Sequence, residues 1–304
     1  METTGAKIIP SGTTQDLVHL GRTDTGVFVL SFVGNPKVNP ENRWTADFTI
    51  AVHKAFDAVE EALANDKKGT PASLMAISES PKFFSNGIDP TYITNPPKDV
   101  DLVYWNMLAM PAFCRAILLP IPTICAINGH AFGGGFMFAC SFDYRIQTSD
   151  RGYIAANEIQ IGIRTPGPEF TLFRHAMSLD MFQQSMLTGR RWKASEALQG
   201  GFVQEIVPLD HLLSCAMKKA NELSKLGVKR NVMKYYKTQL KGYVAQEILV
   251  FTFEGHKEHK SKTPLPPGLQ KHVDELVHGR NPFANTWGKR YQDVEYFRNV
   301  IHKM

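Results

Sequence analysis

Two glycine-bearing turns carry the strongest chemical signal in this sequence. Gly133-Gly134-Gly135 stands between the apolar run Ile121–Asn128 (IPTICAIN) and a second apolar stretch, residues 135–141. Three consecutive glycines cost conformational entropy on folding, so something must require them. One such requirement is a helix start whose backbone N–H groups face an anion or a developing negative charge, with no side chain in the way. The other is close packing of a helix on a strand. The glycines alone do not separate these two. Phe84–Asp89 (FSNGID) also follows a buried run, and Asn86-Gly87 supports a turn that presents the next N–H. Two such turns at the ends of successive parallel strands would converge on one point. Two backbone donors on one oxygen form an oxyanion hole, worth several kcal/mol per donor where water is excluded.

The elements that must position these turns alternate in type. Residues 26–32 (GVFVLSF), Ser73–Ser78 (SLMAIS), Ile121–Asn128 and Asp143–Thr148 (DYRIQT) read as buried strands. Residues 44–65 have apolar positions at three- and four-residue spacing and predict an amphipathic helix. Further helices are expected over 101–116, 135–141, 169–187, 194–200, 211–226 and 231–253. Repeated strand-then-helix order gives an α/β class. Residues 261–268 (SKTPLPPG) concentrate three prolines and a glycine and read as a linker or an exit from the core. A helix over 269–278 and a less regular tail follow.

Bulk properties narrow the function classes. A composition of 43% hydrophobic and 21% charged residues allows a sizeable core in 304 residues and argues against disorder. The net charge of +5 lies mostly in residues 256–304, which hold nine Lys/Arg against five Asp/Glu. The remaining body is nearly neutral, unlike the charged face of a nucleic-acid binder. The four cysteines are widely spaced with no CxxC pair, which fits a reducing compartment. The first residues lack the apolar core of a signal peptide. Residues 117–142 are long and apolar enough to span a bilayer, but two prolines and the glycine turn break them. They read as buried strand, turn and helix of a soluble chain.

No Walker A loop, GxGxxG, HExxH or GxSxG is present. His256 and His259 stand three apart among lysines and lack a full ligand set, so they read as a solvated polar face; no metal is expected. His130, inside the second turn, alternates away from the glycines and reads as structural. Glu169, in Pro166-Gly-Pro-Glu169, is a rival acid near the same site as Glu158, but reads first as the start of the next helix, where a carboxylate complements the dipole.

These segments resemble the crotonase (enoyl-CoA hydratase/isomerase) family. FFSNGID is similar to its first oxyanion loop, PTICAINGHAFGGG to its second, and DYRIQTSDRGYIAANEIQIGI to the strand and site segment that follows. MLTGRRWKASEALQGGFVQEIVP resembles the helix, turn and strand after the site, and the likeness runs in order over residues 20–250. The resemblance implies an acyl-CoA thioester as substrate, with the N–H groups of Ile88 and Gly134 as oxyanion donors. It implies a crotonase fold: a repeated ββα spiral core with a C-terminal helical region. The corresponding division is 1–210 for the core with its acyl-CoA site, 211–260 for helices that mediate trimerisation, and 261–304 for an extension with no assigned role.

Hydratases of this family use two glutamates. One of those positions falls on Met137, beside Phe136, and the other on Glu158 in Asn157-Glu158-Ile159. One carboxylate thus remains where addition of water uses two. A single base suits removal of the acidic C2 proton of a 3-enoyl-CoA and its return at C4. FFSNG together with Asn157-Glu158 further resembles the peroxisomal and plant monofunctional Δ3,Δ2-enoyl-CoA isomerases. The alternatives are a hydratase with a compensating acid, a biosynthetic family member, or a non-catalytic binding protein of the same fold. No cofactor is implied, since coenzyme A is part of the substrate; Lys82, Lys234, Lys237 and Lys241 are candidates for its phosphates. The resemblance also implies a homotrimer or hexamer with no membrane span. Ile301–Met304 only loosely matches a peroxisomal address, because His302 stands where a small residue belongs. Peroxisome, cytoplasm and mitochondrion all remain open as compartments.

Overall fold

A computed structural model describes residues 17–94, 108–254 and 265–278. His256, His259, the C-terminal Ile301–Met304 and most of the extension lie outside the described residues. Among the described residues, nine strands form two sheets. The larger sheet has the order β1 (Val18–Arg22), β2 (Val27–Phe32), β3 (Ser73–Ser78), β5 (Thr123–Ile127), β7 (Tyr144–Thr148) and β9 (Glu205–Val207). Only β1–β2 is antiparallel; every other neighbour pair is parallel. The smaller sheet is β4 (Phe83–Ser85), β6 (His130–Phe132) and β8 (Ile154–Ala155), all parallel.

The chain repeats one unit. A long strand joins the large sheet, a short one joins the small sheet, and helical structure returns the chain. The four buried runs legible in the sequence are β2, β3, β5 and β7. The near-continuous apolar character of β2, β3 and β5 follows from burial on both faces, whereas β7 buries the polar Arg145 and Gln147. On one face lies α1 (Ala46–Asn65), whose Thr45 side chain accepts from the Phe48 N–H and caps its first turn. The other face is covered by the helix Leu209–Ser224, whose Leu212, Ala216 and Ala220 pack on Val27, Met75, Ile124, Ala126 and Ile146. This helix, assigned above to a C-terminal region, completes a layer of the main core.

Two helical boundaries differ from the sequence expectation. The helix expected over 169–187 is two helices, Gly167–Ala176 and Leu179–Thr188. Ser178 breaks it by capping the second, its side chain accepting from the Met181 N–H. Of the helix expected over 101–116, residues 101–107 lie outside the described residues, and 113–114 form a turn before Arg115–Leu118. The apolar run 117–142 is resolved into β5, β6 and α2 (Gly134–Cys140), with β5 and α2 buried and β6 half-buried. No helix among the described residues is long and apolar enough to cross a membrane. Cys114, Cys125 and Cys140 are buried free thiols, and burial pushes the Cys114 thiol up to about 12, where it is unreactive.

The long helix α3 (Arg230–Glu254) is fastened by charge rather than by apolar contact alone. Lys237 Nζ donates to Asp143 Oδ2 at 2.9 Å and to the carbonyls of Ala116 and Ile121; Lys241 Nζ donates to Asp143 Oδ1 and to the Ser141 carbonyl. Asp143 also accepts from the Thr123 N–H at the start of β5. The two lysines hold its carboxyl well below the usual carboxylate range, and burial lowers Lys237 to about 8. The sequence placed Lys237 and Lys241 among candidates for CoA phosphates. That assignment fails, because both ammonium groups are buried and fully engaged with Asp143 and carbonyl oxygens. Replacing Asp143 by Ala would leave two buried lysines unpaired. Denaturant unfolding of this variant should show a loss of about 3–5 kcal/mol; a loss below about 1 kcal/mol would contradict the fastening role.

Candidate active site

The small sheet brings three chain segments to one place. β4, β6 and β8 run parallel, so their carboxyl ends lie together, and these ends lead into Asn86-Gly87-Ile88, Gly133-Gly134 and Glu158. The registers Phe83↔His130, Ser85↔Ala131 and Phe132↔Ala155 set the alignment, and the Gly133 N–H donates to the Ala155 carbonyl at 2.9 Å. None of these short strands was legible in the sequence as a strand. Each is too brief for periodicity to register.

Contact between the turns depends on missing side chains. Gly87 adopts φ +76°, and a Cβ there would lie 2.7 Å from the Phe132 carbonyl oxygen and 3.4 Å from the Gly134 nitrogen. Gly133 adopts φ +47°, and its Cβ would lie 2.8 Å from Glu158 Oε1. Gly87 requires a residue without a side chain for conformational and steric reasons together, and Gly133 for its backbone conformation, its close neighbour being the movable end of Glu158. The close-packing reading of the glycines therefore holds, and it is compatible with the donor reading. Neither the Ile88 nor the Gly134 N–H donates to an acceptor among the described residues.

The first turn is strapped by a segment that sequence reasoning passed over. The Trp44 N–H donates to the Gly87 carbonyl at 2.9 Å, forming a parallel bridge between Trp44 and Ile88. Asn86 donates from its backbone to the Glu41 carbonyl and from its side chain to the Glu41 carboxylate. Asn42, at φ +49°, donates to Ser78 Oγ and to the Phe84 carbonyl. The tolerance of asparagine for the left-handed region was the available signal. Beneath the turns Trp44 meets Phe48, Phe113 and Phe138 with ring centroids 5.2, 4.9 and 5.4 Å away, and Trp44 and Phe113 also cover Gly134. Bulk water is kept from this side.

Glu158 opens a short 3₁₀ turn, Glu158–Ile161, closed by Gly162 at φ +72° and tied to the Thr188 and Gly189 carbonyls by the Gln160 amide. Its Oε2 is buried with no hydrogen-bond partner. Burial pushes its carboxyl above the usual range, offset in part by its own backbone N–H. Met137 is buried in the core, and Phe136 packs between Phe173 and Phe202 at 4.9 and 4.8 Å. Glu169 starts a helix, as expected, but its side chain is buried. It lies in the first turn of Gly167–Ala176 but is 4% exposed, and burial with Glu158 as charged neighbour pushes its carboxyl up to about 8. A group that is mostly protonated at neutral pH does little to complement a helix dipole.

The other expected residues separate clearly. His130 has its ring stacked near Tyr153 and its Nδ1 accepts from the Tyr153 N–H, a position within the sheet. Lys82 is exposed above the Phe83 ring, and Lys234 reaches Glu275 at 3.8 Å on the surface. No group of three metal-binding side chains occurs among the described residues. The arrangement as a whole offers two free backbone donors beside an unpaired, desolvated carboxylate, which suits proton abstraction next to a carbonyl whose oxygen becomes negative.

Residues 42–276 match the enoyl-CoA hydratase/isomerase family. The chain is a member of this family. Its α/β architecture is the crotonase fold, and the family acts on acyl-CoA thioesters. The chain is 31% identical over 180 residues to "Enoyl-CoA delta isomerase 3" of Arabidopsis thaliana, covering 58% of this chain and 71% of that protein. It is 29% identical over 184 residues to "Enoyl-CoA delta isomerase 2, peroxisomal" of the same plant, covering 58% and 72%. The crystal structure of human mitochondrial delta3-delta2-enoyl-CoA isomerase shares the fold, with a TM-score of 0.66 at 22% identity, over 87% of this chain and 99% of that one.

The glycine contacts make a direct forecast. Gly87→Ala must move the Phe132 carbonyl or the turn itself, at a cost of about 1–3 kcal/mol on the scale of overpacked sites. Chemical unfolding that shows Gly87→Ala to be neutral would mean that the two turns do not touch as described.

Proposed function

We propose that this crotonase-family enzyme shifts the double bond of a 3-enoyl-CoA to give trans-2-enoyl-CoA, in the β-oxidation of unsaturated acyl chains. Glu158 removes a C2 proton, which is acidic because the dienolate delocalises into the thioester oxygen. The N–H groups of Ile88 and Gly134 receive that oxygen, and the same carboxyl returns the proton at C4. The observation that carries this reading is Met137, buried at the position where family hydratases hold their other glutamate. A desolvated Glu158 with no cation in contact is a stronger base than an exposed carboxylate, which suits a carbon acid. The reading needs no cofactor beyond the CoA moiety of the substrate, and Lys82 remains the candidate for its phosphates.

A second reading, hydration of 2-enoyl-CoA, is favoured by one feature. Glu169 supplies a second buried acid beside Glu158, in place of the one missing at Met137. Separate incubations with trans-3-hexenoyl-CoA and crotonyl-CoA distinguish the two. Isomerisation of the first with negligible hydration of the second is the expected result, and efficient hydration would sink the isomerase reading. Glu158→Gln should lower isomerisation by at least ~10²-fold; near-normal turnover would remove Glu158 from the site. The acid limb of the pH profile should lie above the ordinary glutamate value of 4.5, since a base with a raised pKa is lost to protonation sooner as pH falls.

Self-assembly through the C-terminal helices is part of the same reading. The outer face of α3 exposes Tyr235, Tyr236, Leu240 and Tyr243, more apolar surface than a helix facing only water usually carries. Sedimentation should give a trimer or hexamer, and a monomer at micromolar concentration would refute this part.

A further inference from the structure

The isomerase reading uses one carboxyl, yet two are buried at the site. Glu169 lies one helical turn before Phe173, and residues four apart share a helix face. Phe173 packs on Phe136 of α2 with ring centroids 4.9 Å apart, so this face is turned towards the glycine-led helix. Glu158 Oε1 reaches the same helix start, 2.8 Å from where a Gly133 Cβ would stand. Neither carboxyl forms a side-chain hydrogen bond or an ion pair with a described residue; Glu158 Oε2 is sealed from solvent without a partner.

The charged groups around this pair are few. α2 carries none. Arg164 precedes the Glu169 helix and is exposed, while Arg174 and His175 lie at its far end. There His175 meets Tyr243 and feels Lys241, Arg145 and Asp143. The neighbouring helix Leu179–Thr188 offers only the exposed Asp180. Glu158 is the charged neighbour that Glu169 feels, and two desolvated carboxyls in electrostatic contact, with no cation against either among the described residues, resist ionising together.

We propose that Glu169 is a positioning residue that holds the single proton of a Glu158–Glu169 pair, so that the site carries one negative charge, on Glu158, when that residue acts as base. This rests on the isomerase reading for the role of Glu158. Glu169, more deeply buried, keeps the proton, and Glu158, which faces the turns, gives it up. Were both ionised, the dienolate would form beside an extra carboxylate in a poorly screened setting, and the barrier would rise.

The test compares the protein with its Glu169→Gln variant across neutral and alkaline pH. With trans-3-hexenoyl-CoA, kcat of the unaltered protein should fall through pH about 8, with KM moving much less. One pH unit above that point the fall should be roughly tenfold, as for loss of a single essential proton. In Glu169→Gln the alkaline limb should be absent. Thermal unfolding supplies an arm independent of turnover. Unfolded Glu169 ionises near 4.5 and folded Glu169 near 8, so the folded chain holds a proton that the unfolded chain has lost between these values. Stability due to this group therefore declines as pH rises through that window, and Glu169→Gln should gain Tm relative to the unaltered protein in step with pH. An alkaline limb that survives in Glu169→Gln, or a Tm difference that does not change with pH, overturns the proposal. Absence of turnover in both proteins would instead defeat the isomerase reading, and the unfolding arm would still decide where the proton resides.

Discussion

The site depends on close approach to two glycines that carry no Cβ, one met by backbone and the other by a carboxyl. Gly87 and Gly133 both sit in the left-handed region, and each has a neighbour where a side chain would begin: the Phe132 carbonyl in one case, the Glu158 carboxyl in the other. Parallel strands supply the rest. Because β4, β6 and β8 run the same way, their ends meet, and three stretches distant in sequence become adjacent. An antiparallel strand in the middle would send one of the three to the opposite edge of the sheet. Direction of pairing and absence of side chains thus act together, the first placing the turns and the second letting them touch.

Holding such turns still requires partners on the outside of the site. The Glu41–Trp44 strap satisfies the backbone of the first turn, the aromatic cluster around Trp44 fills the space below it, and Gln160 pins the turn that carries Glu158. Each contact removes a freedom that would otherwise blur the donor positions, and positional error of about an ångström is costly to catalysis. The lysine–Asp143 lock extends the same logic to the long C-terminal helix, which is joined to the start of β5 by charge-assisted hydrogen bonds.

Much of the fold was legible because burial writes itself into sequence. β2, β3 and β5 are largely apolar runs and α1 shows its stripe, while β7 carries Arg145 and Gln147 inside the sheet. The two glycine turns and Glu158 also stood out, and the structure brings them together. Three things were not legible. Strands of two or three residues leave no period to detect, so the small sheet that organises the site went unseen. A lysine on a helix looks the same whether it meets phosphate or a buried aspartate, and Lys237 and Lys241 proved to be of the second kind. Burial of Glu169 was invisible because the Pro-Gly-Pro before it suggests an exposed helix start, whereas the side chain turns inward with Phe173.

The reaction performed here is a question of charge more than of shape. Two backbone donors stabilise any thioester enolate, whether it arises by losing a C2 proton or by adding water at C3, so the turns do not choose between these outcomes. What chooses is the number of ionised carboxyls and where the proton rests between them. A desolvated pair without a cation has a strong preference for one negative charge. On the proposed assignment Glu158 then abstracts the proton while Glu169 is neutral. A neutral carboxyl can be a silent neighbour or a donor to a departing or attacking water, and the difference lies in whether water reaches it. Met137 and Phe136 make the adjoining helix surface apolar, which disfavours an ordered water at that flank. Isomerisation, which needs no water, is the proposed chemistry that best suits an apolar flank and a pair sharing one proton.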